Sequence, residues 1–192
     1  MKYLTLKSVP DLLCFVRLLL APVVLALALS DLPFCAGIAL FAAGLTDVLD
    51  GIIARRWNIV TAYGSRLDSI ADTLMEISAA AAVLILKPGI STGHALILGV
   101  CIAVEASSIL LGWLKFRRIA NLHLYLTKAA GVVAYAFVIY TLVAGYNETF
   151  FYVTVTLLIV SSLECLILQL FAPRVDEHMK SVYHAYRAAS RR

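Results

Sequence analysis

Long apolar runs separated by short polar or basic breaks dominate the pattern of hydrophobic and polar positions along this chain. A bilayer core about 30 Å thick needs roughly 20 apolar residues per helix, so runs of that length indicate membrane spans. Six runs meet this description: Leu12–Leu29, Pro33–Ile53, Leu67–Leu86, His94–Leu114, Leu124–Ala144 and Thr149–Phe171. The pattern therefore predicts an all-α integral membrane protein with six transmembrane helices.

Turn residues and basic residues mark the ends of the predicted spans. Ser30 and Asp31 form a short polar break after the first span, and Lys87-Pro88-Gly89 brings both helix breakers to the end of the third. The fourth is expected to stop at the basic cluster of residues 115–118. Because neither an internal repeat nor a low-complexity linker interrupts the pattern, residues 1–192 are predicted to form one membrane domain.

Composition agrees with a membrane protein and argues against a soluble domain. Hydrophobic residues make up 62% of the chain, charged residues only 15%, and the mean hydropathy is +0.92. The first span follows a basic start, as a secretory signal would, but no small-residue cleavage site follows it. The four cysteines lie within predicted spans without paired spacing, and we interpret them as small buried hydrophobes: Cys14, Cys35, Cys101 and Cys165.

The distribution of basic residues predicts the orientation of the chain. Fifteen of the sixteen Lys and Arg residues fall on one side of the predicted topology, and only Lys87 falls on the other. Since cytoplasmic loops collect Lys and Arg, both termini are predicted to be cytoplasmic, in a multi-pass protein of the cell (inner or plasma) membrane. Residues 1–10 are expected to form a short interfacial helix or a frayed terminus. Residues 173–192 form a basic tail expected to bind anionic lipids rather than nucleic acid.

Four aspartates are concentrated around the connection between the second and third spans. Asp47 and Asp50 are three residues apart and Asp68 and Asp72 are four apart, so each pair shares one helix face. The connection is short, and the two helices are therefore predicted to be antiparallel neighbours whose carboxylates converge. Four carboxylates in one place repel and need compensating cations, for which Mg²⁺ or Mn²⁺ is best suited.

Small residues follow the first pair of aspartates along the same helix. Gly51 and Ala54 continue the stripe that begins at Asp47 and remove side-chain bulk beside the acids. A ligand could approach the backbone there, although small residues also serve ordinary packing between membrane helices.

Residues 47–72 resemble the signature of the CDP-alcohol phosphatidyltransferases. That signature reads D-x-x-D-G-x-x-A-R, then eight residues, then G-x-x-x-D-x-x-x-D, and this segment matches it at every defining position. The resemblance implies transfer of a phosphatidyl group from CDP-diacylglycerol to a small alcohol, with release of CMP. It also implies a homodimer in the membrane.

The resemblance further implies a role for each residue of the motif. Two divalent ions would be held by Asp47, Asp50 and Asp68, and Asp72 would be the general base for the acceptor hydroxyl while also touching the second ion. Gly51 and Ala54 would line the cytidine pocket, together with Gly64 of the second half of the motif. Arg55 would brace the aspartates or the nucleotide.

A second element, at residues 10–17, is similar to the family pattern P-N-x-x-T-x-x-R. Pro10 and Arg17 are kept, whereas Asp11 replaces the usual asparagine and Cys14 the usual threonine. Arg17 is expected to reach the diphosphate, with contact to lipid headgroups as the alternative. Because a thiol is a weak donor, Cys14 is expected to weaken hydrogen bonding at this end of the pocket.

The acceptor alcohol is less sharply defined by the sequence. The chain is similar in general to the phosphatidylglycerophosphate synthases. Those enzymes typically carry the motif D-P-x-A-D-K, whereas this chain has Ser69 in place of the proline and Thr73 in place of the lysine. Glycerol 3-phosphate is the first expectation, and serine, inositol, inositol phosphate or phosphatidylglycerol are the alternatives. Four basic residues are candidates for binding the acceptor: Arg66, Arg117, Arg118 and Lys128.

Acidic residues within membrane spans are also compatible with other kinds of protein. A cation channel or transporter would use them along an ion path, but here they cluster at one face without an inverted repeat. A noncatalytic scaffold would not need the Asp, Gly and Ala arrangement. Glu76 is expected to contact the acceptor or a cavity water, and Glu105 and Glu164 to be neutral, hydrogen-bonded acids between helices.

Overall fold

The structure is a computed structural model that describes residues 2–56, 62–116 and 125–171. Within these ranges the chain forms seven α-helices and no β-strand. The helices are α1 Lys2–Leu29, α2 Pro33–Arg56, α3 Ala62–Leu86, α4 Pro88–Gly93, α5 Ala95–Phe116, α6 Tyr125–Val143 and α7 Glu148–Phe171. All except the short α4 are long and apolar enough to cross a bilayer, in agreement with the six predicted spans.

The outward faces of the long helices are strongly apolar. Leu96 is 82% exposed, Leu29 75% and Val132 70%, and many other large aliphatic side chains are similarly uncovered. A protein in water rarely leaves so much apolar surface exposed, whereas the hydrocarbon of a bilayer is the solvent that such faces require. The chain is a multi-pass membrane protein.

The N-terminal segment is part of the first membrane helix. α1 is continuous from Lys2 to Leu29, so a separate interfacial helix at residues 1–10 is not confirmed. Pro10 lies within this helix. A proline removes one backbone hydrogen bond, but here it does not end the helix.

The break after α3 differs from its prediction. α3 ends at Leu86, as the Lys87-Pro88-Gly89 signal requires, but Pro88 then begins the short helix α4, which was not predicted. Proline fits the first position of a helix because the N–H that it lacks would have no partner there. The stop signal for one helix is therefore also the start signal for the next.

The described helices fall into two compact units. The first contains α1, α2, α3 and the end of α6 with the turn after it (Val138–Tyr146). In this unit α1 packs extensively against both α2 and α3, while α2 and α3 contact each other much less. The expectation that α2 and α3 are neighbours is thus only partly right, because α1 is the partner that they share.

Small residues allow the close packing in the first unit. The buried positions recur every three or four residues and include Ala21 and Ala28 on α1, Ala36 and Ala43 on α2, and Ala71 and Ala82 on α3. Gly37 on α2 is closest to its neighbours: a Cβ atom there would lie 2.5 Å from Cγ2 of Val143 and 3.3 Å from Cβ of Leu142. These buried stripes on α1, α2 and α3 fix how the three helices pack against one another.

The second unit is built around α5 and α7, with most of α6. The Ser162 hydroxyl donates a 2.9 Å hydrogen bond to Oε1 of Glu105, which agrees with the expected bond to Glu105. Nζ of Lys115 donates to the carbonyl oxygens of Gln169 and Leu170, at 2.5 and 3.0 Å. A cation at these last carbonyls satisfies acceptors that a helix end leaves open, so Lys115 caps α7.

Candidate active site

The four aspartates converge at one end of the first unit. Asp47 and Asp50 lie in the second half of α2, Asp68 and Asp72 lie in the first half of α3, and Arg17 lies near the middle of α1. Carboxylate oxygens from Asp47, Asp68 and Asp72 come within 4.8 Å of one another. The structure therefore brings together the acids whose convergence the spacing predicted.

Arg17 lies at the centre of this cluster. Its Nη1 is 3.0 Å from Oδ1 of Asp47 and 3.1 Å from Oδ1 of Asp68, and it also pairs with Oδ1 of Asp72. Its Nη2 pairs with Oδ2 of Asp50. One guanidinium, only 1% exposed, thus bridges carboxylates from two helices.

The sequence predicted that Arg17 lies near the site but did not predict these partners. The signal that could have revealed them is charge balance: four carboxylates on membrane helices require nearby cations, and Arg17 is the arginine within the first span. Arg17 is thus both the residue expected to contact the diphosphate and the residue that contacts the aspartates.

The four acids differ in how far they are exposed. The side chain of Asp50 is 7% exposed, whereas those of Asp47, Asp68 and Asp72 are 51%, 44% and 46% exposed. Asp50 is therefore held against α1, and the other three carboxylates keep a face open to a ligand. The cluster has one anchored acid and three accessible ones.

Cys14 lies one turn before Arg17 and also faces the acids. Its buried Sγ is 3.6 Å from Oδ2 of Asp50 and 3.8 Å from Oδ1 of Asp68, within hydrogen-bonding range for a thiol. Cys14 is buried as predicted, but it is a polar neighbour of the site and not an apolar filler. Among the other cysteines the prediction of burial holds for Cys101, is partly right for Cys165, which is half-buried, and is wrong for Cys35, which is exposed on α2. All four are free cysteines that form no disulfide.

The donor atoms of the cluster suit divalent ions. Two groups have ligand atoms close enough to share one ion, namely Asp47 with Asp68 and Asp72, and Cys14 with Asp50 and Asp68. Carboxylate oxygens are the ligands that Mg²⁺ and Mn²⁺ prefer, whereas a thiolate is not. Without the thiol, the second group offers the carboxylates of Asp50 and Asp68, and Asp68 is the acid that the two groups share. The residues present fit the predicted metal centre.

The structure describes only some of the remaining predicted site residues. Gly51 on α2 and Gly64 on α3 are half-buried in helices that carry the aspartates. Lys128 is exposed on α6 and Glu76 is exposed on α3. The side chains of four residues lie outside the described part of the chain, as do residues 117 and 118 altogether: Pro10, Ala54, Arg55 and Arg66, then Arg117 and Arg118.

Fold and site together define a class of protein. Six apolar helices with a carboxylate cluster that fits divalent ions are suited to binding a phosphate-bearing substrate from the bilayer. The family model described as CDP-alcohol phosphatidyltransferase matches residues 7–161 of the 192. The chain belongs to the CDP-alcohol phosphatidyltransferase family, and the resemblance stated from residues 47–72 is confirmed.

Curated relatives are similar over part of the chain. A CDP-diacylglycerol–glycerol-3-phosphate 3-phosphatidyltransferase of Haemophilus influenzae is 37% identical over 75 residues, which cover 38% of this chain and 40% of the relative. The protein of the same name from Escherichia coli (strain K12) is 38% identical over 71 residues, 35% of this chain and 39% of the relative. A cardiolipin synthase (CMP-forming) of Rattus norvegicus is 47% identical over 70 residues, 35% of this chain and 23% of the relative.

The match to these relatives is local. The chain spans 40% or less of the length of each of the three. No solved structure matches the chain.

Proposed function

We propose that the chain transfers a phosphatidyl group from CDP-diacylglycerol to a small alcohol and releases CMP. The observation that carries this proposal is the convergence of Asp47, Asp50, Asp68 and Asp72 around one buried position on three membrane helices. Family membership supports the reaction type. A channel or a scaffold would need neither this convergence nor the family signature.

The metal centre would be formed by Asp47, Asp50, Asp68 and Asp72. Two Mg²⁺ or Mn²⁺ ions bound there would neutralise charge on the diphosphate and on the departing CMP. Asp68 would serve both positions because its carboxylate belongs to both groups of donors. Asp50, the least exposed of the four, would anchor the centre against α1.

Asp72 is proposed as the general base. It takes the proton of the acceptor hydroxyl as the hydroxyl oxygen forms a bond to the lipid-bearing phosphorus of CDP-diacylglycerol. The bond between that phosphorus and the bridging oxygen of the diphosphate breaks, and the bridging oxygen leaves with CMP. Its side chain is 46% exposed, so an acceptor can reach the carboxylate. Gly51, Ala54 and Gly64, which carry little side-chain bulk, are proposed to leave room for the cytidine, with Arg55 and Pro10 at the edge of that pocket.

Glycerol 3-phosphate is the proposed acceptor. The bacterial relatives from Haemophilus influenzae and Escherichia coli carry that acceptor in their names, which supports this choice. Phosphatidylglycerol is the second candidate, because the cardiolipin synthase of Rattus norvegicus is 47% identical over its matched segment. The basic residues proposed to bind the acceptor phosphate are Arg66, Arg117, Arg118 and Lys128.

The proposed setting is the cell membrane, with both termini and the aspartates on the cytoplasmic side. Fifteen of the sixteen Lys and Arg residues support this orientation. We also propose a homodimer. The resemblance to the family is what supports it.

A purified-protein assay tests the reaction and its acceptor. The full chain in lipid nanodiscs would receive CDP-diacylglycerol, Mg²⁺ or Mn²⁺, and one of glycerol 3-phosphate, phosphatidylglycerol, serine, inositol or inositol phosphate. Mass spectrometry of the lipid product should show phosphatidylglycerophosphate first. If a product formed only with another alcohol, the proposed reaction type would stand and the proposed acceptor would be wrong.

A further inference from the structure

Arg17 and a divalent ion require the same place among the aspartates. Nη1 of Arg17 lies within 3.1 Å of one oxygen from each of Asp47, Asp68 and Asp72. Those acids form one of the two groups whose oxygens are close enough to share an ion. A guanidinium nitrogen at this point and an ion bound to the same oxygens exclude each other.

We propose that Arg17 is a positioning residue that acts as the built-in counter-ion of the site. It holds the four aspartates together when no divalent ion is bound, and it gives up the oxygens around Nη1 when an ion binds. The inference rests on the proposed metal centre. According to this inference, Arg17 competes with the metal ion for the aspartate oxygens, in addition to any contact that it makes with the substrate.

Charge explains why such a counter-ion is needed. Of the cations whose side chains the structure describes, Arg17 alone is ion-paired with any of the four aspartates. Arg56, on the same helix as Asp47 and Asp50, is exposed. Without Arg17 the carboxylates would repel one another across the contacts that α1 makes with α2 and α3. The guanidinium therefore links the charge balance of the site to the packing of α1.

The contacts of Arg17 favour its replacement by a metal ion at the aspartates. Its Nε, although buried, has no hydrogen-bond partner among the described residues. The side chain is thus held through its two terminal nitrogens, and both depend on the aspartates. When ions take the carboxylate oxygens, nothing else described holds the guanidinium in this pose. A displaced guanidinium beside the metal centre has the chemistry that binds a diphosphate.

The test compares Arg17→Gln with the wild type and with Arg56→Gln. Both variants lose one positive charge, that of Arg56 from the end of the helix that carries Asp47 and Asp50, but only the first removes the proposed competitor. The full chain would be purified in nanodiscs with Mn²⁺, treated with chelator and titrated with Mn²⁺. Free Mn²⁺ would be followed by electron paramagnetic resonance and unfolding by the thermal midpoint, so the readout does not depend on turnover.

Arg17→Gln should bind Mn²⁺ about tenfold more tightly than wild type, or about 1.4 kcal/mol. Its midpoint without metal should fall, and its rise on adding Mn²⁺ should exceed that of wild type. Arg56→Gln should change the affinity far less. Unfolding of Arg17→Gln after chelation, with recovery in Mn²⁺, would also support the proposal.

Two results would overturn it. One is a Mn²⁺ affinity in Arg17→Gln that is equal to or weaker than that of wild type. The other is a variant that stays unfolded even in Mn²⁺, since this would make Arg17 purely structural. If the proposed metal centre is wrong, the outcome is different from either of these. The wild type then shows no Mn²⁺ binding that is lost in Asp68→Ala.

Discussion

Arg17 and Asp72 form an ion pair although they are 55 residues apart and belong to different helices. The residue proposed as general base is therefore held by the same guanidinium that holds the other three aspartates. This pairing ties the chemistry of α3 to the position of α1. It also makes the charge state of the cluster part of what holds α1, α2 and α3 together.

Asp72→Asn should abolish transfer without unfolding the protein. The substitution keeps the size of the side chain and removes the basic oxygen, and loss of a general base typically lowers a rate by about 10²–10⁴-fold. Arg17 keeps three other carboxylate partners, so the thermal midpoint and CDP-lipid binding should change little. Asp31→Asn, in the exposed turn between α1 and α2, is the matched control. Turnover of Asp72→Asn within a few fold of wild type would rule out this role.

Asp47→Ala, Asp50→Ala and Asp68→Ala should each raise the Mg²⁺ or Mn²⁺ concentration needed for activity, or remove activity. Each variant deletes an oxygen proposed to bind metal. Asp68→Ala should have the largest effect, because its carboxylate belongs to both groups of donors. Activity as a function of metal concentration is the measurement. Three unchanged titrations would defeat the two-ion proposal.

The same variants should differ in stability. Asp50 is buried and is the carboxylate that pairs with Nη2 of Arg17, so its removal leaves that buried donor without its partner and should cost about 1–3 kcal/mol. The side chain of Asp47 is half exposed, so its loss should cost less than about 1 kcal/mol. Thermal midpoints in the absence of metal should therefore be lower for Asp50→Ala than for Asp47→Ala. The reverse order would contradict the assignment of Asp50 as the anchored acid.

Paired replacement of Arg117 and Arg118 by Gln should raise the KM for the acceptor more than the KM for the CDP-lipid. A phosphorylated acceptor must approach four aspartates, and a cationic lining would offset that repulsion. Lys87→Gln, predicted to lie on the opposite side of the membrane, is the control. Equal effects on both substrates, or preference for an uncharged alcohol, would move the proposed acceptor to serine or inositol.

Gly37→Ala should destabilise the protein, although alanine is the better helix former by about 1 kcal/mol. The added methyl group would meet Val143 and Leu142, and such overpacking costs about 1–3 kcal/mol. Gly131→Ala on α6 is the matched control, because nothing lies within 4 Å of a Cβ atom at that position. A thermal midpoint of Gly37→Ala at or above that of Gly131→Ala would contradict the close contact.

Local patterns predicted much of this molecule. The apolar runs located the six long helices because span length is set by the thickness of the bilayer, and the spacing of Asp47 with Asp50 and of Asp68 with Asp72 predicted a shared face for each pair. Both are properties of single helices. The hydropathy of the connection around Lys87 could not reveal α4, since Pro88 can end one helix or begin another.

The partners of Arg17 and Cys14 could not be predicted in the same way. Their contacts with Asp50 and Asp68 join residues 33 to 54 positions apart, and they depend on how α1 packs against two other helices. Nothing in the periodicity of α1 specifies that packing. Only the requirement that four carboxylates be neutralised pointed toward Arg17, and that requirement is equally met by metal ions.

Measuring both products of one incubation tests the proposed reaction. Wild-type protein in nanodiscs would receive CDP-diacylglycerol and glycerol 3-phosphate, with and without Mg²⁺ or Mn²⁺, and CMP and the lipid product would be quantified together. We expect equal amounts of CMP and phosphatidylglycerophosphate, formed only with the metal and not by Asp72→Asn. Absence of CMP release with folded, metal-loaded protein and every acceptor tested would contradict the proposed reaction.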